Sequence, residues 1–212
     1  MGHDHSADKK QISFFYEIMR KSTHMGALVV PGIYYLFELS KMQMLSLMIP
    51  LAVLIIFADI SRLRNYWFWR QDVVRKLLSP MVRPHEAEGD FTGATYILIS
   101  FCLTIALYPK AVAITAIAFI IVGDTFAALI GRKINSPKFY KSKSIAGSLG
   151  CFVGMAIVAL ASANLFLDLN LQVVLWGALV GTIFEAFSFG IDDNVTVPIL
   201  SGLFMTLLLK IL

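Results

Sequence analysis

The sequence predicts an all-α fold: a polytopic membrane bundle of about seven transmembrane helices with its N-terminus in the cytoplasm. Three observations carry this. Charged residues make up only 15% of the 212 and the mean hydropathy is +0.74, whereas a soluble domain carries about 25% charged residues. Apolar runs of spanning length, about 17–25 residues, fall roughly at 24–40, 43–61, 91–108, 110–130, 145–163, 171–190 and 195–211. Lysine and arginine then sort by side. With the N-terminus inside, fifteen of the 18 face the cytoplasm, and Lys41, Lys110 and Lys210 remain outside. Positive charge marks the cytoplasmic loops. Lipid gives an open backbone no hydrogen-bond partner, so each span is helical.

No linker composition or low-complexity tract interrupts the chain, so residues 1–212 read as one integral membrane domain. The expected location is a bacterial inner membrane, with the chemistry facing the cytoplasm. The polar start lacks the apolar core and small-residue cleavage site of a signal peptide, and His3 and His5 read as a solvated tail. Cys102 and Cys151 lie in apolar runs with neither metal spacing nor a disulfide partner in view.

Residues 1–23 form a cytoplasmic lead-in. Glu17, Lys21 and His24 recur at helical spacing with Arg20 alongside. This face either meets lipid headgroups or belongs to a site, and its composition leaves both open. The second run ends in Asp59 and Arg62, an i, i+3 pair at the interface. Residues 62–90 form an interfacial cytoplasmic loop, within which Leu63 to Leu78 is basic and aromatic, with Trp67, Trp69, Arg70, Arg75 and Lys76, as an in-plane interfacial helix is. A stretch tethered between two spans argues against nucleic acid as the partner. Pro80 and Pro84 break it, and Arg83, Glu86, Glu88 and Asp90 lead back into the membrane.

In the third run, Ser100 and Thr104 are expected to bond to backbone carbonyls. The fourth contains Asp124, about two turns before a basic loop, where an ionised side chain costs on the order of 2.5–3.5 kcal/mol. Ala127, Ala128 and Gly131 share its face, which suits close packing or a ligand. The loop 131–144 holds Arg132, Lys133, Lys138, Lys141 and Lys143 but lacks a Walker A pattern. Ser144 and Ser148 can cap the next helix. The N–H groups there either bind an anion or serve an ordinary cap. The fifth run is rich in glycine and alanine. The sixth contains Glu185, with Ser188 and Asp192 at i+3 and i+7, followed by Asp193, Asn194 and Pro198.

Carboxylates on two helices at similar depth can share one Mg²⁺, which takes one or two of them together with substrate phosphates. These charges gather on one leaflet. A transporter places polar groups near the midplane with access from both sides, so an enzyme acting on a lipid from one face fits better.

Several blocks resemble the CTP-dependent polyprenol kinase group, which includes dolichol kinase, phytol kinase and the CTP-dependent diacylglycerol kinase of yeasts. They are Glu17-x-x-Arg20-Lys21-x-x-His24, Arg83-x-x-Glu86 before Thr92-Gly93-Ala94-Thr95-Tyr96, Gly123-Asp124-x-x-Ala127-Ala128-x-x-Gly131-Arg132, Lys143-Ser144-x-x-Gly147-Ser148, and Glu185-Ala186-x-Ser188 with Asp193-Asn194-x-x-x-Pro198. They keep order over most of the chain. Ala146 stands where the family often has an acid. The resemblance implies a kinase that moves the γ-phosphate of CTP to a membrane lipid hydroxyl. CDP-lipid synthases are similar and offer cytidylyl transfer as the alternative; a transporter or scaffold is the non-enzymatic one.

On this resemblance Asp124, Lys143 and Glu185 are catalytic. Arg20, Lys21, His24, Arg132, Lys133, Lys141, Lys143, Ser144, Gly147 and Ser148 bind nucleotide. Asp124, with Glu185 or Asp193, holds Mg²⁺, and either Asp124 or Glu185 orients the lipid hydroxyl. Asp59, Arg83, Glu86 and Asn194 are lipid-binding or accessory.

Overall fold

The computed structural model describes residues 21–71, 89–140, 143–187 and 191–212. Glu17, Arg20, Arg75, Lys76, Arg83, Glu86, Glu88, Lys141 and Ser188 therefore lie outside the described residues, as do Pro80 and Pro84.

The described chain is a helical bundle. Its elements are α1 (Val29–Leu36), α2 (Lys41–Leu63), α3 (Trp67–Arg70), α4 (Gly93–Leu107), α5 (Lys110–Lys133), strands β1 (Lys138–Tyr140) and β2 (Lys143–Ser144), α6 (Ile145–Leu165), α7 (Leu171–Ala186) and α8 (Asp193–Leu208). By length and composition α2, α5 and α6 can each cross a membrane, while α4, α7 and α8 are shorter apolar helices.

The expected first span differs. Residues 21–26 are helical, 27–28 form a turn, and α1 follows. Eight residues rise only about 12 Å, too short to cross. Pro31 explains the break. It has no N–H to give the carbonyl four residues back, at Ala27, and its ring crowds that carbonyl. Val30 N–H bonds to Ala27 O at 3.0 Å instead. The basic loop also carries a short two-stranded antiparallel β1–β2 pairing that the sequence did not indicate, within a fold that is a helical bundle.

Local chemistry sets the helix starts. Ser40 and Gln43 exchange side-chain and backbone bonds as a capping box on α2. Asn170 caps α7 by accepting from Gln172 N–H at 2.9 Å. Asp192 caps α8 by accepting from Asn194 N–H at 2.9 Å. The start of α4 is capped from α2: Asp59 accepts from Thr92 N–H and Oγ1, both at 2.8 Å, and from Thr95 Oγ1 at 2.7 Å. The expected Arg62–Asp59 pair forms as well, at 3.2 Å. Asp59 thus clamps the adjoining ends of two neighbouring helices.

Helix α5 is the hub. Its apolar window is 61% buried, against 28% for α2, so α5 runs through the protein and α2 turns most of its surface to lipid. Phe119, Ile117, Ile120 and Ile121 meet Met155, Val173 and Met205 in the core. The pairing of α5 with α6 is the tightest. A Cβ on Gly131 would come within 3.1 Å of Gly147 Cα, and one on Gly150 within 2.9 Å of Phe126 O. This is the small-residue packing expected of the Ala127–Gly131 face. Gly150→Ala should therefore overpack the pair and cost about 1–3 kcal/mol, read as a fall in thermal midpoint in detergent. An unchanged midpoint would show that these helices can separate without penalty.

Thr115, Thr125, Thr182 and Ser201 each bond to the carbonyl four residues back. Ser100 and Thr104, expected to do the same, have no hydrogen-bond partner among the described residues.

Candidate functional site

One end of the bundle gathers the charges that the sequence leaves inside the membrane. Asp124 lies in the second half of α5, Lys143 opens β2, Glu185 stands one residue before the end of α7, and Asp193 begins α8. Lys21 and His24 arrive on the helical segment before α1.

They form two neighbouring clusters. In the first, the Lys21 ammonium pairs with Asp124 Oδ2 and donates to Asp124 O at 3.2 Å. His24 Nε2 lies 3.5 Å from the same carboxylate oxygen. Lys21 is only 6% exposed, so Lys21 and His24, of the residues on the lead-in face, turn into the protein.

In the second cluster, the Lys143 ammonium pairs with Glu185 Oε1 and, at 3.1 Å, with Asp193 Oδ2. One cation therefore joins the ends of α7 and α8. Burial works against the charge on Lys143, but Asp193 and then Glu185 outweigh it and hold the pKa above the ordinary lysine value. The charge on Lys143 also reaches Asp124, and Asp124 and Glu185 feel one another, so the clusters form one electrostatic unit.

The acids differ in access. The Asp124 and Asp193 side chains are 23% and 24% exposed, and that of Glu185 is 2%. Glu185 Oε2 is buried with no hydrogen-bond partner among the described residues. An unpartnered carboxylate oxygen is costly and is an open acceptor for a cation. Among the described residues no group of three His, Cys, Asp or Glu side chains is arranged to hold a metal. A divalent ion here would take at most two carboxylates and complete its shell from phosphate and water. That is how Mg²⁺ is commonly bound, and the hard oxygen donors suit it.

The start of α6 is an ordinary cap. Gly147 N–H donates to Ser144 Oγ at 3.2 Å. Ala146 N–H donates to Ser136 Oγ at 3.0 Å, and Ile145 N–H to Pro137 O at 3.2 Å. The first N–H groups are thus satisfied from within, and an anion at this helix end would have to displace them. Ser136 and Pro137 are residues that the sequence reading did not assign to the cap. The turn composition of Asn135-Ser136-Pro137 is the sequence feature that marks them. Ser148 Oγ is buried without a hydrogen-bond partner among the described residues.

The remaining candidates lie around this unit. Arg132 and Lys133 are exposed at the end of α5, and Lys138 is exposed on β1. Asn194 is buried, with its amide donating to Asp192 Oδ1 at 2.6 Å, which makes it part of the α8 cap. Asp59 is engaged in the α2–α4 clamp.

The chain is similar to an uncharacterized protein of Rickettsia prowazekii, at 28% identity over 90% of this chain and 93% of the relative. It is similar to the CTP-dependent diacylglycerol kinase 1 of Schizosaccharomyces pombe, at 26% identity over 69% of this chain and 73% of the relative. The protein of that name from Saccharomyces cerevisiae is 25% identical over 92% of this chain and 74% of the relative. No family model matches the chain, and no solved structure matches it. The two named relatives support the CTP-dependent lipid kinase family, the group that the sequence blocks resemble.

Proposed function

We propose that this chain is a membrane-integral kinase that transfers the γ-phosphate of CTP to the hydroxyl of a membrane lipid, with diacylglycerol the first substrate to test. The observation that carries the reading is the charge unit just described: two cations, Lys21 buried and Lys143 half-buried, and three carboxylates from three helices, brought to one end of an otherwise apolar bundle. The likeness to proteins named for this reaction supports it.

Phosphoryl transfer asks a protein mainly for positioning and charge neutralisation. Lys143 and Lys21 are the cations closest to the carboxylates, and both can turn to phosphate oxygens. Arg132 and Lys133 add positive charge at the exposed rim. Asp124, the more accessible of the two acids left open for this role, accepts the hydrogen bond of the lipid hydroxyl at a carboxylate oxygen and orients it. Glu185 and Asp193 hold Mg²⁺, which when bound neutralises the triphosphate. The lipid tail stays among the helices, so only its hydroxyl needs to reach the charged end. The proposed side is the cytoplasmic one, where nucleotide is present and where the basic loops are expected.

The position of a radiolabel tests the reaction. With purified protein, Mg²⁺ and a panel of diacylglycerol, polyprenol, phytol and phosphatidic acid, label from γ-labelled CTP should enter an alcohol and label from α-labelled CTP should enter no lipid. The reverse pattern, α-label in phosphatidic acid, would make the protein a cytidylyltransferase.

A further inference from the structure

We infer that Glu185 and Asp193, without Asp124, form a divalent-cation site that Lys143 occupies until nucleotide draws the lysine away. The inference rests on the kinase reading above and deepens its two-acid metal site by naming what occupies it before nucleotide arrives. One ammonium lies within bonding distance of both carboxylates although they come from different helices, so the two acids converge on a single point. Asp124 is engaged elsewhere, its Oδ2 meeting Lys21 and His24. Glu185 Oε2 adds a buried acceptor with no hydrogen-bond partner among the described residues, one more than a lysine with two bonds satisfies and one that a cation with several coordination positions uses.

Charge balance links the two ligands. A cation arriving alone meets an ammonium already at the point and is repelled. A triphosphate arriving alone can take Lys143, but this strands Glu185 and Asp193 as uncompensated carboxylates beside it, and Glu185 is almost fully buried. When both arrive, the lysine passes to phosphate and the cation takes its place, so no carboxylate is left bare. Binding of either ligand therefore lowers the cost of the other, which is a reciprocal coupling. The lysine lies directly before the α6 cap, at the start of β2, so its release can move the hairpin without unfolding a helix.

Two measurements on the purified full chain test this, with Mn²⁺ as the probe. The first is titration of Mn²⁺ without nucleotide. Lys143→Met should bind Mn²⁺ about tenfold or more tightly than the wild type, because the competing ammonium is gone, and adding Glu185→Gln to that variant should remove the gain. Equal affinity of wild type and Lys143→Met overturns the proposal. The second is retention of labelled CTP by the wild type, which needs no variant to fold. Retention should rise about tenfold when Mn²⁺ replaces a chelator, and measurable CTP binding that is equal in the two overturns the proposal. If Lys143→Met gains Mn²⁺ affinity but CTP binds under neither condition, the lysine-masked site stands and the CTP reading falls.

Discussion

Replacing Lys143 with methionine should lower lipid phosphorylation by about 10³-fold or more while the helical fold persists. The side chain is removed from a half-buried position, and methionine keeps its length and its packing along the apolar stem. What disappears is the cation placed between α7 and α8. In the ground state Glu185 loses its counter-charge and takes up a proton or a cation; in the reaction the transferred phosphoryl group loses a positive partner where its charge spreads. Circular dichroism should show unchanged helix content, and turnover at saturating CTP should show the loss. Turnover within a few-fold of wild type would remove Lys143 from the chemistry and leave it as a tie between helices.

Asp124→Asn should abolish turnover to a similar extent, but with a cost in stability. The substitution leaves Lys21 buried beside a neutral amide. Breaking a buried pair by removing one partner typically costs about 3–5 kcal/mol, and the low end is expected because the Asp124 side chain is 23% exposed. The single variant therefore confounds catalysis with folding, and a second separates them. Asp124→Asn combined with Lys21→Met removes both charges and should recover most of the thermal midpoint without recovering turnover. If the double variant regains activity with stability, Asp124 serves only to neutralise Lys21. If Asp124→Asn alone keeps both, neither role holds.

The unusual charges of this site were legible in the sequence because lipid makes them expensive. An aspartate within the fourth apolar run and a glutamate within the sixth have to face protein, and both do. The helix positions were legible for a related reason: each apolar run has a length set by the bilayer. The pairing of those charges was not legible. Lys21 and Asp124 are 103 residues apart, and nothing in a single chain says which buried acid a basic residue in the lead-in will meet. Composition therefore left Lys21 between a lipid-facing and an inward role.

The β1–β2 strands were missed because they are three and two residues long within a loop whose charge dominates its character. The break at residues 27–28 could have been read, since Pro31 places its missing donor opposite Ala27; the hydrophobicity of the run hid it. The start of α6 shows a different limit. Ser144 was recognisable as a cap, but its N–H groups are also filled by Ser136 and Pro137 from eight residues upstream of the cap onward, an arrangement set by how the chain folds back through the hairpin.

The account stands most directly on one measurement: the appearance of labelled phosphatidic acid when the purified full chain, in detergent–lipid micelles with Mg²⁺, is given γ-labelled CTP and diacylglycerol. The predicted result is time-dependent label in the lipid that is lost in Lys143→Met. Absence of label from every lipid alcohol offered, with CTP and Mg²⁺ saturating and the protein folded, would contradict it.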